Sequence, residues 1–288
     1  MDIRDVADYN RQLILKVILR NRGISRSEIA RESGLAKSTV TSITDRLVSR
    51  NLLSTVNFIR DGKKGRPLEL LSLNTDESLV AVAVYSPNVS KAFLLKPSGE
   101  VVDSRRMPLS KNSSAGDYID GQIRMIEELG RSRWDAIRAI SLVEPGFIDT
   151  ERGVIKLCTH KGWRDIQMVK PFLRFGRPVF LQYGSRIRAK AENWYGVAQD
   201  VDDFLYFHLG HGIGGAVVLD GEVLEGPRHG AGEFGHVIVD PEGAPCICGG
   251  SGCLETIASI PSILKRCSRD MHTACADVWK TSSVMSRL

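Results

Sequence analysis

No apolar run in this 288-residue chain approaches the roughly 18 to 20 residues that a membrane span requires. The N-terminus, with Asp2, Arg4, Asp5 and Asp8, lacks the layout of a secretory signal. Together these absences predict no membrane partner and a cytoplasmic location. Cysteine is sparse and unevenly placed. Of six, Cys158, Cys267 and Cys275 are scattered and read as small buried hydrophobes. Cys246, Cys248 and Cys253 instead crowd into one short stretch, GHVIVDPEGAPCICGGSGCLE. In a reducing compartment such a trio points to a metal rather than to disulfides. Missing, too, is a dinucleotide fingerprint. Gly210, Gly212, Gly214 and Gly215 lie between two strand patterns with no helix after them, an order that excludes strand, glycine turn and helix. Glycines so placed still let backbone approach a ligand or phosphate closely.

What is present is a strong asymmetry of charge. The whole chain carries a formal +5, and residues 1–74 hold 14 Lys+Arg against 8 Asp+Glu, while the remaining residues hold 25 against 26. The basic excess therefore lies entirely in the first quarter, as expected where one small module touches a polyanion and the rest does not. That quarter reads as three helices. Leu13, Ile14, Val17 and Ile18 line one face of the first, which Gly23 stops. Ser25 and Glu28 form a capping box at the start of the second, which ends at Gly34. The third runs from Leu35 to Val48, with Val40, Ile43 and Leu47 turned inward and Ser38, Thr39, Ser42 and Arg46 left outward. Two short helices joined by a glycine turn predict a helix-turn-helix whose second helix enters the DNA major groove. The strand patterns STVNFIR and PLELLSLN follow, joined by DGKKGRP. Lys63, Lys64 and Arg66 at that hairpin tip suit phosphate or minor-groove contact. The bland alternative is a three-helix interaction domain with a solvated basic face.

From about residue 78 the pattern becomes α/β. Strand runs LVAVAVYS, KAFLLKP and EVVDSRRMPL precede a helix near DYIDGQIRMIEELGRS. Then come IRAISLVEPGFID, PVFLQY, a helix RIRAKAENWYG, and the strands FLYFHLG and HGIGGAVVLDGEVL. Strands alternating with helices, with glycine at the junctions, predict a parallel or mixed sheet.

The segments LGHGIGGAVVLDGEVLEG and GAGEFGHVIVDPEGAPCICGGSGCLE resemble the signature of the ROK family of sugar kinases and their related repressors. With the winged helix in front, the whole resembles the sugar-responsive regulators of the NagC, Mlc and XylR type. The implied fold is an N-terminal winged helix-turn-helix (8–74), followed by a two-lobed, actin-like or ribonuclease H-like ATPase body with mixed sheets. Its first lobe spans 78–196, and its second, incomplete lobe with a metal loop spans 197–288. The resemblance implies a DNA-binding regulator, in all expectation a repressor, with a double-stranded operator, a sugar or sugar-phosphate effector and a homodimer or homotetramer. It also implies a C-terminally truncated chain, since more polypeptide follows the cysteine loop in the resembling proteins.

His236, Cys246, Cys248 and Cys253 match the ligand set of a closed Cys3His zinc site, in which no position is open to water or substrate. Such a zinc is structural, fixing the loop that carries Glu233, His236 and Glu255. In the resembling kinases these three contact sugar hydroxyls. One ring nitrogen of His236 would bind metal while the other faces ligand. A structural role for Glu233 and Glu255 is the alternative.

Departures from the family pattern bear on catalysis. The resembling kinases carry an Asp-x-Gly-Gly-Thr phosphate turn where this chain reads Val84 to Ser90, with neither acid nor glycine. Their base is the Asp of an Asn-Asp pair that falls here on Tyr183 and Gly184, and glycine cannot take a proton. The prediction is a body without kinase activity. The alternative is an ATP-dependent ROK sugar kinase with a DNA-binding appendage. Pro145 and Gly146 remain on a neighbouring loop.

Overall fold

The computed structural model describes residues 3–21, 23–59, 68–75, 78–110, 112–226 and 230–267. The chain divides into two compact units, one ending at Asp202 and one beginning at Asp203. None of the described helices is long and apolar enough to cross a membrane.

The first unit opens with α1 (Ile3–Arg20), β1 (Ile24–Ser25), α2 (Arg26–Ser33), α3 (Lys37–Ser49), β2 (Leu53–Ile59) and β3 (Leu68–Leu73). The capping box forms as expected. Glu28 N–H donates to Ser25 Oγ at 3.3 Å, and Ser25 N–H donates to Glu28 Oε2 at 2.9 Å, satisfying amides that the helix start leaves open. Gly34, left-handed, ends α2. Ile14, Ile18, Ile29, Val40, Leu47, Leu53 and Leu71 close into a buried core. Arg26 then fixes the angle between α2 and α3. Its guanidinium donates to Thr44 Oγ1 at 3.1 Å, pairs with Asp45 at 2.8 Å and reaches Glu69 on β3.

The sheet of this module has the order β1-β3-β2. The two-residue β1 was not legible in the sequence, and neither were the first turns of α1 before Tyr9. Lys16 Nζ lies 3.9 Å from Asp202 and Arg20 Nη1 lies 3.3 Å from Asp200. Both ion pairs tie α1 to the last residues of its own unit.

The body of the first unit continues with β4 (Leu79–Val84), β5 (Val89–Leu95), β6 (Val101–Pro108), α4 (Ala115–Gly130), β7 (Ile137–Glu144), β8 (Phe147–Asp149), β9 (Val154–Cys158), β10 (Trp163–Gln167), β11 (Val179–Tyr183) and α5 (Gly184–Tyr195). A mixed five-stranded sheet has the order β11-β7-β4-β5-β6, with β11, β7 and β4 parallel. Ser114 caps α4 by accepting from Asp117 N–H at 3.1 Å. Tyr118, Ile119, Ile123 and Ile126 of that helix pack on Ala81, Leu94, Ile140 and Leu142 of the sheet in one buried cluster. Burial on this scale is the dominant favourable contribution to folding. A small antiparallel sheet, β10-β9-β8, was not anticipated as a separate sheet, because its strands are only three to five residues long.

The second unit holds β12 (Phe204–Leu209), β13 (Ile213–Leu219), β14 (Glu222–Val223), α6 (Leu254–Ala258) and α7 (Ile260–Cys267). β12, β13 and β14 form an antiparallel sheet.

Candidate nucleic-acid interface and metal centre

On α3, Ser38, Ser42 and Arg46 are exposed and Thr39 is half-buried, while Val40 and Leu47 are buried. This is the division the 3.6-residue period predicts. The four outward residues line a common groove of about 580 Å³ along the helix. Lys63, Lys64 and Arg66, assigned to the hairpin tip, lie outside the described residues.

In the second unit, His236 Nδ1 sits 3.6 Å from Cys246 Sγ, and Cys248 Sγ sits 3.7 Å from Cys253 Sγ. The four potential ligand atoms of His236, Cys246, Cys248 and Cys253 all lie within 4.8 Å of one another. Three thiols and one imidazole are a donor set of the right softness and number for a closed tetrahedral ion. Burial and the two neighbouring thiols push the Cys253 thiol up to about 12, whereas a hydrogen bond from the Gly250 backbone holds Cys248 below the ordinary thiol range. A bound dication offsets the cost of crowding such thiolates.

Local structure explains how the four converge. His236 ends a short 3-10 turn, Phe234–His236. Isolated bridges join Ile238 to Cys253 and Pro245 to Ser251. The loop closes at Gly252, whose φ is +69° and where a Cβ would fall 1.5 Å from the carbonyl oxygen of Asp240, so only glycine fits. Cys253 is itself the N-cap of α6.

Of the three residues expected at a ligand, Glu233 Oε2 stands 4.0 Å from His236 Nε2. The ring therefore turns Nδ1 to the thiols and Nε2 toward the Glu233 carboxylate, where a sugar ligand was expected to face it. Glu255 has a structural partner, accepting the N–H of Ile213 at 2.7 Å at the start of β13. Part of the glycine run also serves the protein itself. A Cβ on Gly215 would strike the ring of Phe234 at 2.2 Å, and that ring stacks on Phe207 with centroids 4.6 Å apart.

At the carboxyl ends of the parallel strands, where α/β sheets commonly bind ligands, Tyr183 ends β11 and is the N-cap of α5, and Gly184 is the first residue of that helix. The helix starts two residues earlier than its sequence pattern suggests. Where a phosphate turn was sought, Tyr85 lies buried, edge-on to Tyr118 at 5.9 Å and to Trp163 at 6.4 Å.

Beside it is a group the sequence reading missed. Glu144, fully buried and paired in register with Tyr183, accepts from Tyr118 Oη at 3.0 Å on both carboxylate oxygens and from Gln122 Nε2 at 3.1 Å. Burial pushes its carboxyl up to about 8, outweighing those hydrogen bonds. The signal available was a lone acid ending an otherwise apolar strand, just before Pro145-Gly146.

Comparisons with known proteins agree with this geometry. Residues 89–282 match the ROK family, and residues 8–53 match winged helix-turn-helix DNA-binding domains. The chain is 30% identical over 273 residues to the xylose repressor of Bacillus spizizenii, covering 92% of this chain and 70% of that protein. It is 34% identical over 197 residues to a glucokinase of Halalkalibacterium halodurans, covering 66% of this chain and 59% of that one. A solved ROK family transcriptional regulator, a homologue of Escherichia coli Mlc, superposes with a TM-score of 0.75 at 29% identity, covering 93% of this chain and 69% of the other. The chain spans between 59% and 70% of the length of the curated relatives it matches.

Proposed function

The chain belongs to the ROK family, and from that premise we propose that it is a DNA-binding transcriptional repressor whose kinase-like body senses a sugar or sugar phosphate. The observation that carries this reading is the joining, in one chain, of a ROK body to a capped helix-turn-helix with an exposed hydroxyl-and-arginine face. Ser38, Thr39, Ser42 and Arg46 reach base edges, and Lys63, Lys64 and Arg66 hold phosphates. Relatives named xylose repressor and glucokinase point to a monosaccharide as the effector class. Glu233, His236 and Glu255 are the residues we assign to it. Effector binding alters operator affinity because the two equilibria are linked, and a homodimer or homotetramer places paired readers on a two-fold operator.

The body has no phosphoryl-transfer role in this reading. Gly184 offers no base and Tyr85 fills the place of a phosphate turn, and loss of a general base alone costs about two to four powers of ten in rate. Zinc held by His236, Cys246, Cys248 and Cys253 would brace the loop and leave no position for a reacting water. The ligand geometry of His236 supports this, since the thiols claim one ring nitrogen and Glu233 stands near the other.

The deciding experiment is selection of duplex DNA by the purified chain from a random pool, followed by binding to the selected site with and without a panel of pentoses, hexoses and their phosphates. One enriched motif whose affinity shifts with one sugar is the expected result. No enrichment, or ATP-dependent phosphorylation of any sugar in the panel, overturns the reading.

A further inference from the structure

The groove along α3 has a second wall. Besides Ser42 and Arg46 the groove is lined by Ala7, Asn10 and Arg11 of α1 and by the apolar Ile43, Leu47 and Leu52. The spacing Thr39, Ile43, Arg46, Arg50 follows a single helical face, so Arg50 continues the row one turn beyond Arg46. Ala7, Asn10 and Arg11 obey the same three-and-four rule on α1. Three guanidiniums line the groove and no carboxylate does. Among the described residues neither Arg46 nor Arg50 has an ion-pair partner. Arg11 is held by Asp8 at 2.9 Å, with Arg11 and Asp8 side chains 41% and 61% exposed. A groove with a cationic rim and an apolar floor suits a chain of alternating phosphates and deoxyriboses, the anions meeting arginines and the sugar carbons meeting Ile43 and Leu52.

We propose that α1 is part of the DNA-contacting surface, the groove seating one strand's sugar–phosphate backbone with Arg11 and Arg50 on its phosphates, beside the base-reading Arg46. The inference rests on the reading of the chain as a DNA-binding regulator and adds to it a second helix and two contact arginines outside α3. Asp8 is then a built-in competitor. It holds Arg11 when DNA is absent and must yield it to a phosphate on binding.

The test measures affinity of the full chain for its selected duplex and for a random duplex of the same length across a salt series. Arg11→Ala and Arg50→Ala each weaken both duplexes by a similar factor and reduce the salt slope by about 0.9. Asp8→Asn tightens binding, a gain that damage to the fold would not produce. Ala7→Glu weakens binding several-fold and by more than the isosteric neutral Ala7→Gln, while the distant charge control Lys91→Ala on β5 behaves as the native chain.

If Arg11→Ala, Ala7→Glu and Asp8→Asn all match the native chain while Arg46→Ala loses binding, the inference is overturned and the regulator reading stands. If these variants change self-association instead of DNA affinity, the groove belongs to a second copy and the inference is equally overturned. If the native chain retains no duplex at all, reading and inference fall together.

Discussion

The junction of β11 with α5 and the cysteine loop are held together in opposite ways. Around the junction, Tyr85, Tyr118, Trp163 and the inward side chains of β4 and β7 (Ala81, Ala83, Ile140, Leu142) are buried in one continuous core. In the loop, Val237, Ile238, Val239 and Ile247 are exposed by 54%, 61%, 50% and 51%. Apolar burial fixes the first region, but it cannot fix the second, which keeps few buried side chains besides Cys246 and Cys253. Where a segment is too small to bury a core, a metal commonly supplies the missing constraint. The contrast gives a physical reason for four residues able to hold a metal to cluster there, while the junction needs no such brace.

The sharpest way to break this comparison is to remove a ligand. Cys253→Ala should abolish the zinc we expect, one ion per chain by elemental analysis, and destabilise the second unit by more than about 4 kcal/mol. An unchanged melting curve would leave the loop with some other support. Gly252→Ala tests the same region without touching a ligand. The added methyl meets the Asp240 carbonyl at 1.5 Å in a left-handed backbone, and the expected cost is about 3 kcal/mol with partial loss of metal.

The junction is probed through Glu144. Because its carboxyl is raised to about 8 from an ordinary 4.5, the folded chain keeps a proton that the unfolded chain releases between those values. Its contribution is therefore fully present below about 4.5 and is lost as pH rises through about 8, at up to about 1.4 kcal/mol per pH unit. Glu144→Gln removes that decline. Denaturant titrations of both proteins across this range check it, and parallel curves would show the acid to be ionised or relaxed. The smallest effect is expected at Gly184→Asp. A Cβ there has Arg188 Nη1 at 3.6 Å and Val143 at 3.9 Å, so stability should change by less than about 1 kcal/mol. A coupled ATP assay should still show no sugar phosphorylation under the proposed reading, which also finds no phosphate turn between Val84 and Ser90.

Local signals made the reading module legible. Ser25 and Glu28 announced a helix start that the structure closes reciprocally, Gly34 announced its end, and the apolar spacing of Val40, Ile43 and Leu47 oriented α3 correctly. The histidine and three cysteines were legible because few chemistries require that set. What stayed hidden depends on residues distant in sequence. Arg26 looks like an ordinary surface cation until Thr44, Asp45 and Glu69 are folded around it. Glu144 resembles a loop acid until Tyr118 and Gln122 of α4 enclose it. Gly184 fell outside the periodic stretch because α5 opens on polar residues that carry no amphipathic stripe. Arg50 follows the last inward residue of α3, and only the opposite wall, from α1, shows that it belongs to a groove.

Helix α1 carries consequences at both of its ends. Arg11 faces the groove from its early turns, while Lys16 and Arg20 hold Asp202 and Asp200 from its late ones. Its 18 residues form a rod about 27 Å long, too short to bend appreciably under a side load. One continuous helix thus joins the Asp200 and Asp202 ion pairs to Arg11, so in the proposed complex a shift of the 200–202 segment would reach the phosphate contact without any change in the groove itself.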